Sequence, residues 1–259
     1  MSLDNVDSGA SSVFISQLLR DSDSGQIEKM FEGSQTPDNL VKLSKIILSA
    51  KISEQTRSTI KPFIEDLTVD IISNPKIGLT ERIEFVGRIV SCSPSLISLN
   101  TESTALSSLL ASSSLSYSTF KPFITFINKH PKAHVRAIPL LCLAVQRHLE
   151  FMEENPSSAE SLALANAINT FFGTCKRHKM DWGNVVPYLI ADLLHASISL
   201  ATNLPVKQSL VTAAEALLDI SSTHSHAYLS ANMAQATNEM FKVVLQEYKA
   251  HKKFTGKNV

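Results

Sequence analysis

Apolar residues recur at three- and four-residue spacing in stretch after stretch of this 259-residue chain, and short polar breaks separate the stretches. That spacing lines one face of an α-helix. It cannot line one face of a strand, whose side chains alternate. "LVKLSKIIL" sets Leu40, Leu43, Ile46 and Ile47 on one side, with Thr36 or Asp38 beside Pro37 as a helix start. "TERIEFVGRIV" offers Ile83, Val86, Ile89 and Val90, and "SLALANAINTFFGTCKRH" offers Leu162, Ala165, Ile168, Phe172 and Cys175. "HVRAIPLLCLAVQRHLEFM" reads as a long helix in which Pro139 is a first-turn residue or a kink. "VVPYLIADLLHASISL" and "VKQSLVTAAEALLDI" follow as a pair, split by "ATNLP". With only 8 glycines and 7 % aromatic residues, the chain lacks the turns and strand formers of an all-β fold.

The breaks are regular: Asn74-Pro75, Ser93-Pro94, His130-Pro131, Asn155-Pro156, Trp182-Gly183 and Leu204-Pro205. They predict an all-α fold, an irregular α-solenoid or antiparallel array of about ten helices. Residues 1–12 read as a disordered, serine-rich leader, and residues 13–259 as a single helical domain. "STIKPFI" at Ser58 and "STFKPFI" at Ser118 hint at stacked helical units, although sixty residues exceeds the usual two-helix repeat.

Charge narrows the function. The 24 basic residues balance 24 acidic ones, whereas non-specific nucleic-acid binding needs a positive field. Cys92, Cys142 and Cys175 are too few and too odd in number for a disulfide framework. The polar, acidic start is no signal peptide, and no run of 18 apolar residues occurs. A reducing compartment, cytosol or nucleus, fits this pattern.

No constellation demands chemistry. Cys175 and His178 have ligand-like spacing, but a structural zinc site needs four ligands, and no second cysteine pair exists. His224 and His226 fit a turn and helix start better than a metal pair, having no carboxylate or cysteine nearby. Asp192 and His195 share a helix face, yet no nucleophile accompanies them. "TGKNV" contains Gly-Lys without the earlier glycine of a phosphate loop. The expectation is a protein without catalytic residues, metal or cofactor.

The end of the chain stands out. Residues 240–259, "MFKVVLQEYKAHKKFTGKNV", hold five lysines and one histidine against one glutamate. Met233, Thr237, Met240, Phe241, Val244, Leu245 and Tyr248 form a stripe for core docking. Lys242, Gln246, Lys249 and Lys253 run along another face, and Gly256 suits a helix end. Lysines near a helix C-terminus interact favourably with its dipole, by about 0.3–1 kcal/mol each. That accounts for Lys249, Lys252 and Lys253 without any ligand but explains Phe254 less well, and Lys249, Lys252, Lys253, Phe254 and Lys257 stand as the candidate contact for a partner or RNA.

Taken in order, "VPYLIADLLH", "VKQSLVTAAEALLDISSTH" and "MFKVVLQEYKAHKKFTGK" resemble the C-terminal domain of the nucleolar pre-ribosome-associated protein two family, also called unhealthy ribosome biogenesis protein two. The matching positions are Pro187 to Asp192, Leu217 to Ile220, Phe241, Lys242, Tyr248, Lys253, Phe254 and Gly256, within a family-like region of about 130–259. Ala216 departs from the pattern, which leads one to expect an aromatic there. The resemblance implies a non-enzymatic scaffold of the nucleolus that serves large-subunit assembly and pre-rRNA processing. It implies early pre-ribosomal particles, a large helical companion protein and a DEAD-box RNA helicase as partners, with local pre-rRNA contact and no membrane or small-molecule substrate. The alternative is a helical-repeat adaptor in protein trafficking or transport.

Overall fold

The computed structural model describes residues 36–49, 54–92, 97–112, 114–130 and 133–254. The leader at 1–12, Gly256 and Lys257 lie outside the described residues, as do the side chains of Ile46, Lys253 and Phe254. Among the described residues there are twelve α-helices and one 3-10 turn, and no strand. The chain divides into two compact units, with the boundary after residue 113.

The first unit holds α1 (Pro37–Ser49), α2 (Glu54–Ser73), α3 (Leu79–Ile89) and α4 (Leu99–Leu110). α1 packs on α2 and α3, and α4 packs on the same two helices. Leu43, Ile47, Ile64, Ile71, Phe85, Ile89 and Leu106 fill the space between them. In α3 the buried face is Phe85, Val86 and Ile89, while Ile83 is only half-buried.

The second unit holds α5 (Tyr117–Lys129), α6 (His134–Glu154), α7 (Ala159–Cys175), a 3-10 turn (Lys176–His178) and the single-turn α8 (Lys179–Trp182). It continues with α9 (Val186–Ser199), α10 (Leu204–Leu218), α11 (Thr223–Asn232) and α12 (Gln235–Phe254). The helices form two layers. α5, α7, α10 and α12 pack side by side in one, and α6, α9 and α11 in the other. α5 and α7 touch α6 across the layers, α9 touches α10 and α12, and α11 touches α12. Alternating layers let every helix bury an apolar face against neighbours near in sequence, the packing of a helical array.

Serine and asparagine at the breaks have a mechanical role, since each helix leaves its first N–H groups without intrahelical partners. Ser98, Ser158, Asn203 and Ser222 accept from backbone N–H groups at the starts of α4, α7, α10 and α11. Ser116 and Thr119 make a reciprocal capping box at the start of α5. Pro139 lies in the second turn of α6, exposed, with the helix running on to Glu154. The two "KPF" motifs also lie inside helices, Pro62 in mid-α2 and Pro122 in the second turn of α5. The first packs on α1 and α4, the second on α6 and α7.

An aromatic cluster fastens the second unit. Phe120 of α5 meets Phe171 of α7 at 5.6 Å between ring centres, and Phe171 meets the edge of Trp182 in α8 at 5.8 Å. His148 of α6 joins it at 4.9 Å from Phe120; its Nδ1–H donates to the Ala144 carbonyl at 2.7 Å, leaving Nε2 facing the Thr119 hydroxyl at 3.0 Å. Burial holds this imidazole down at about 4, so it stays neutral.

On α7 the buried set is Ser161, Leu164, Ala165, Ala167, Ile168, Phe171, Phe172 and Cys175; Leu162, expected inside, is exposed. Both leucines that end α10, Leu217 and Leu218, are buried. Leu217→Ala leaves a cavity between packed layers and lowers unfolding stability by about 2–5 kcal/mol in chemical denaturation.

Candidate functional site

α12 docks through Thr237, Phe241 and Val244, which are buried, and through the half-buried Met240, Leu245 and Tyr248. Its neighbours are α9, α10 and α11. A flanking face, Lys242, Gln246 and Lys249, is exposed. From Thr237 to Tyr248 the stripe is present as the spacing predicts, while Met233 falls before the helix, at the end of α11; of the lysine face, Lys242, Gln246 and Lys249 are exposed as expected.

Asp219, which caps α10, is the hub of this region. Its Oδ2 pairs with Lys176 Nζ at 2.6 Å, at the end of α7. Its Oδ1 accepts from the Tyr248 hydroxyl at 2.8 Å and pairs with Lys252 Nζ at 2.5 Å. Lys252 also lies over the Tyr248 ring, 5.2 Å from its centre. One carboxylate thus ties α7, α10 and α12 together. Burial alone would raise its pKa, but the hydrogen bonds from Lys176, Lys252 and Tyr248 outweigh that and hold it at about 2. The same bond to Asp219 foremost raises Lys252.

These side chains line an open cleft of about 340 Å³, with Glu215 and His251 on its wall. Burial first, and then the charge of Glu247, raises the Glu215 carboxyl. Ala216 lines the same cleft, so an aromatic ring there would project into this space. Opposed charges meet within the cleft, and the arrangement fixes the end of α12 in place.

The candidate lysines separate accordingly. Lys252 folds back onto Asp219, while Lys249 faces solvent and its charge contributes, after burial, to lowering the pKa of His226. The described residues do not include the side chains of Lys253 and Phe254 or any part of Lys257. His226 turns inward to Ser221 Oγ at 2.7 Å and to the Phe241 ring, while His224 is exposed, so the two histidines diverge. Asp192 accepts from Gln146 of α6 at 2.9 Å, and His195 is exposed. Cys175 is fully buried and its thiol is pushed up by that burial; Cys142 is raised to about 11 for the same reason.

Sequence spacing missed two features. Asp219 stands within the family-like stretch Leu217 to Ile220, but its role as a hub was not legible there, because its partners lie far along the chain. His178 has companions other than Cys175: together with Asp181 it meets His134, and the ligating atoms of the three lie within 4.8 Å of one another.

Residues 83–257 match the Urb2/Npa2 family, a span of about two thirds of the chain. It starts inside α3, upstream of the region near 130 from which the resemblance was read. No curated protein and no solved structure matches the chain.

The clamp has a pH signature. A depressed carboxylate stabilises the fold above its unfolded pKa of about 3.9 and loses that contribution as pH falls toward its folded value. Solvent screening at this part-exposed group keeps the contribution to about 1–2 kcal/mol. Asp219→Asn is therefore less stable than the parent by that amount at pH 7 in urea titrations, and the gap closes between about pH 4 and pH 2. Lys249→Gln stays within about 0.5 kcal/mol of the parent.

Proposed function

The chain belongs to the Urb2/Npa2 family, a family associated with ribosome biogenesis, and from that premise we propose that it is a non-enzymatic helical scaffold in assembly of the large ribosomal subunit. It works in the nucleolus, within early pre-ribosomal particles, alongside a large helical companion protein and a DEAD-box RNA helicase. The observation that carries this reading is the family match across 83–257, which takes in α4 and the helices of the second unit.

The surface is consistent with a scaffold. Tyr188 of α9 is 57 % exposed and Tyr228 of α11 45 %, their rings edge to face at 6.0 Å. Leu143 of α6 and Met180 of α8 also face solvent. Exposed aromatic and methionine side chains are the types enriched where proteins meet. Lys249 offers a cation to the same kind of contact, whereas Lys252 is engaged in holding α12.

Affinity purification of the tagged chain from cells tests the reading. Large-subunit precursor RNA and nucleolar proteins co-purify if it holds. Recovery of trafficking or transport components without precursor RNA supports the adaptor alternative instead.

A further inference from the structure

We propose that His134, His178 and Asp181 form a binding site for a divalent cation of the zinc class, joining the start of α6 to the corner between α7 and α9. The proposal is independent of the scaffold reading and rests on how that corner folds.

His134 is the first residue of α6, and its ring is fully buried. The 3-10 turn ends at His178 and α8 follows immediately, carrying Asp181 back against α6. His134 Nε2 lies 3.7 Å from Asp181 Oδ2, and the His134 and His178 rings are 4.4 Å apart between centres. All three ligating atoms fall within 4.8 Å of one another. Around a tetrahedral zinc with bonds of about 2.0–2.2 Å, neighbouring ligand atoms stand roughly 3.4 Å apart. The His134–Asp181 edge is already close to that. The remaining closure is within reach of side-chain rotation, because His178 is half-buried and Asp181 is exposed.

The donor set selects the ion. Two imidazoles and one carboxylate suit zinc and its first-row neighbours, while magnesium and calcium prefer oxygen alone. Three protein ligands leave a fourth position for water on the side of exposed Asp181. Behind the cluster the wall is aromatic and buried. Trp182, fully buried, stacks on His134 at 9° and 6.3 Å and is braced by Phe171. Such a wall excludes water and strengthens the attraction between cation and carboxylate.

A simple ion pair accounts for less. A pair between His134 and Asp181 alone gives the adjacent His178 ring no ligating role. A shared cation uses all three groups at once, with both imidazoles neutral.

The full chain, stripped of metal, is titrated with Zn²⁺ while its single tryptophan, Trp182, reports by fluorescence. Co²⁺ in place of Zn²⁺ reads coordination directly by visible absorption. The expected result is saturable one-to-one binding. His178→Gln and Asp181→Asn each weaken it by at least about tenfold, and the double variant loses both the fluorescence change and the zinc-dependent rise in thermal midpoint. Neither side chain is buried, and a metal-free thermal midpoint equal to the parent's confirms that the variants fold. No saturable binding by the parent overturns the proposal. So does a double variant that binds like the parent, which would assign the ion to other histidines such as exposed His224.

Discussion

Helix α10 is enclosed on three sides. α7 and α12 flank it within its own layer, and α9 lies across it. Val206, Leu210, Ala213, Ala214 and Leu217 are consequently sealed from water. Each buried valine or leucine contributes about 1.5–3 kcal/mol relative to exposure, and the paired alanines let the neighbouring helices approach closely. Asp219 follows directly on this helix. Because α10 is held, its carboxylate has a fixed position from which to grip Lys176 on one side and Tyr248 and Lys252 on the other. The placement of α12, and of any surface it presents, depends on that sequence of constraints.

Much of this architecture was written in the chain. Helix after helix appeared where apolar residues kept a 3.6-residue period, and among the described residues the breaks at Asn155-Pro156 and Leu204-Pro205 fall at helix boundaries capped by Ser158 and Asn203. The faces were legible where a helix has one buried side. In α12 the spacing placed Phe241 inside and Lys249 outside, as they are. α7 was harder, since it is squeezed between α5, α6 and α10 and buries more than one side. Its apolar residues therefore do not trace a single stripe. The spacing placed Leu162 on the inner stripe and passed over Phe171, but Phe171 took an inner position and Leu162 stayed exposed.

The polar features were less legible for a different reason. Helical spacing reports only neighbours three or four residues apart. Asp219 gathers Lys176, Tyr248 and Lys252 from two other segments, and His178 meets His134 from the start of α6. Cys175, the neighbour that spacing suggested for His178, turned into the core. The resemblance behaved differently again. It rested on ordered fragments of the last helices, and the family match extends it to residue 83.

In the resulting account, the array supplies surfaces and the charged cleft fixes one end of it. The measurement that bears most directly on this is sedimentation of the chain, at its natural level, through a density gradient of cell lysate. The account predicts a peak coincident with large-subunit precursors, which moves to the light fractions when precursor RNA is digested. A chain that stays in the light fractions while intact precursors sediment normally contradicts it.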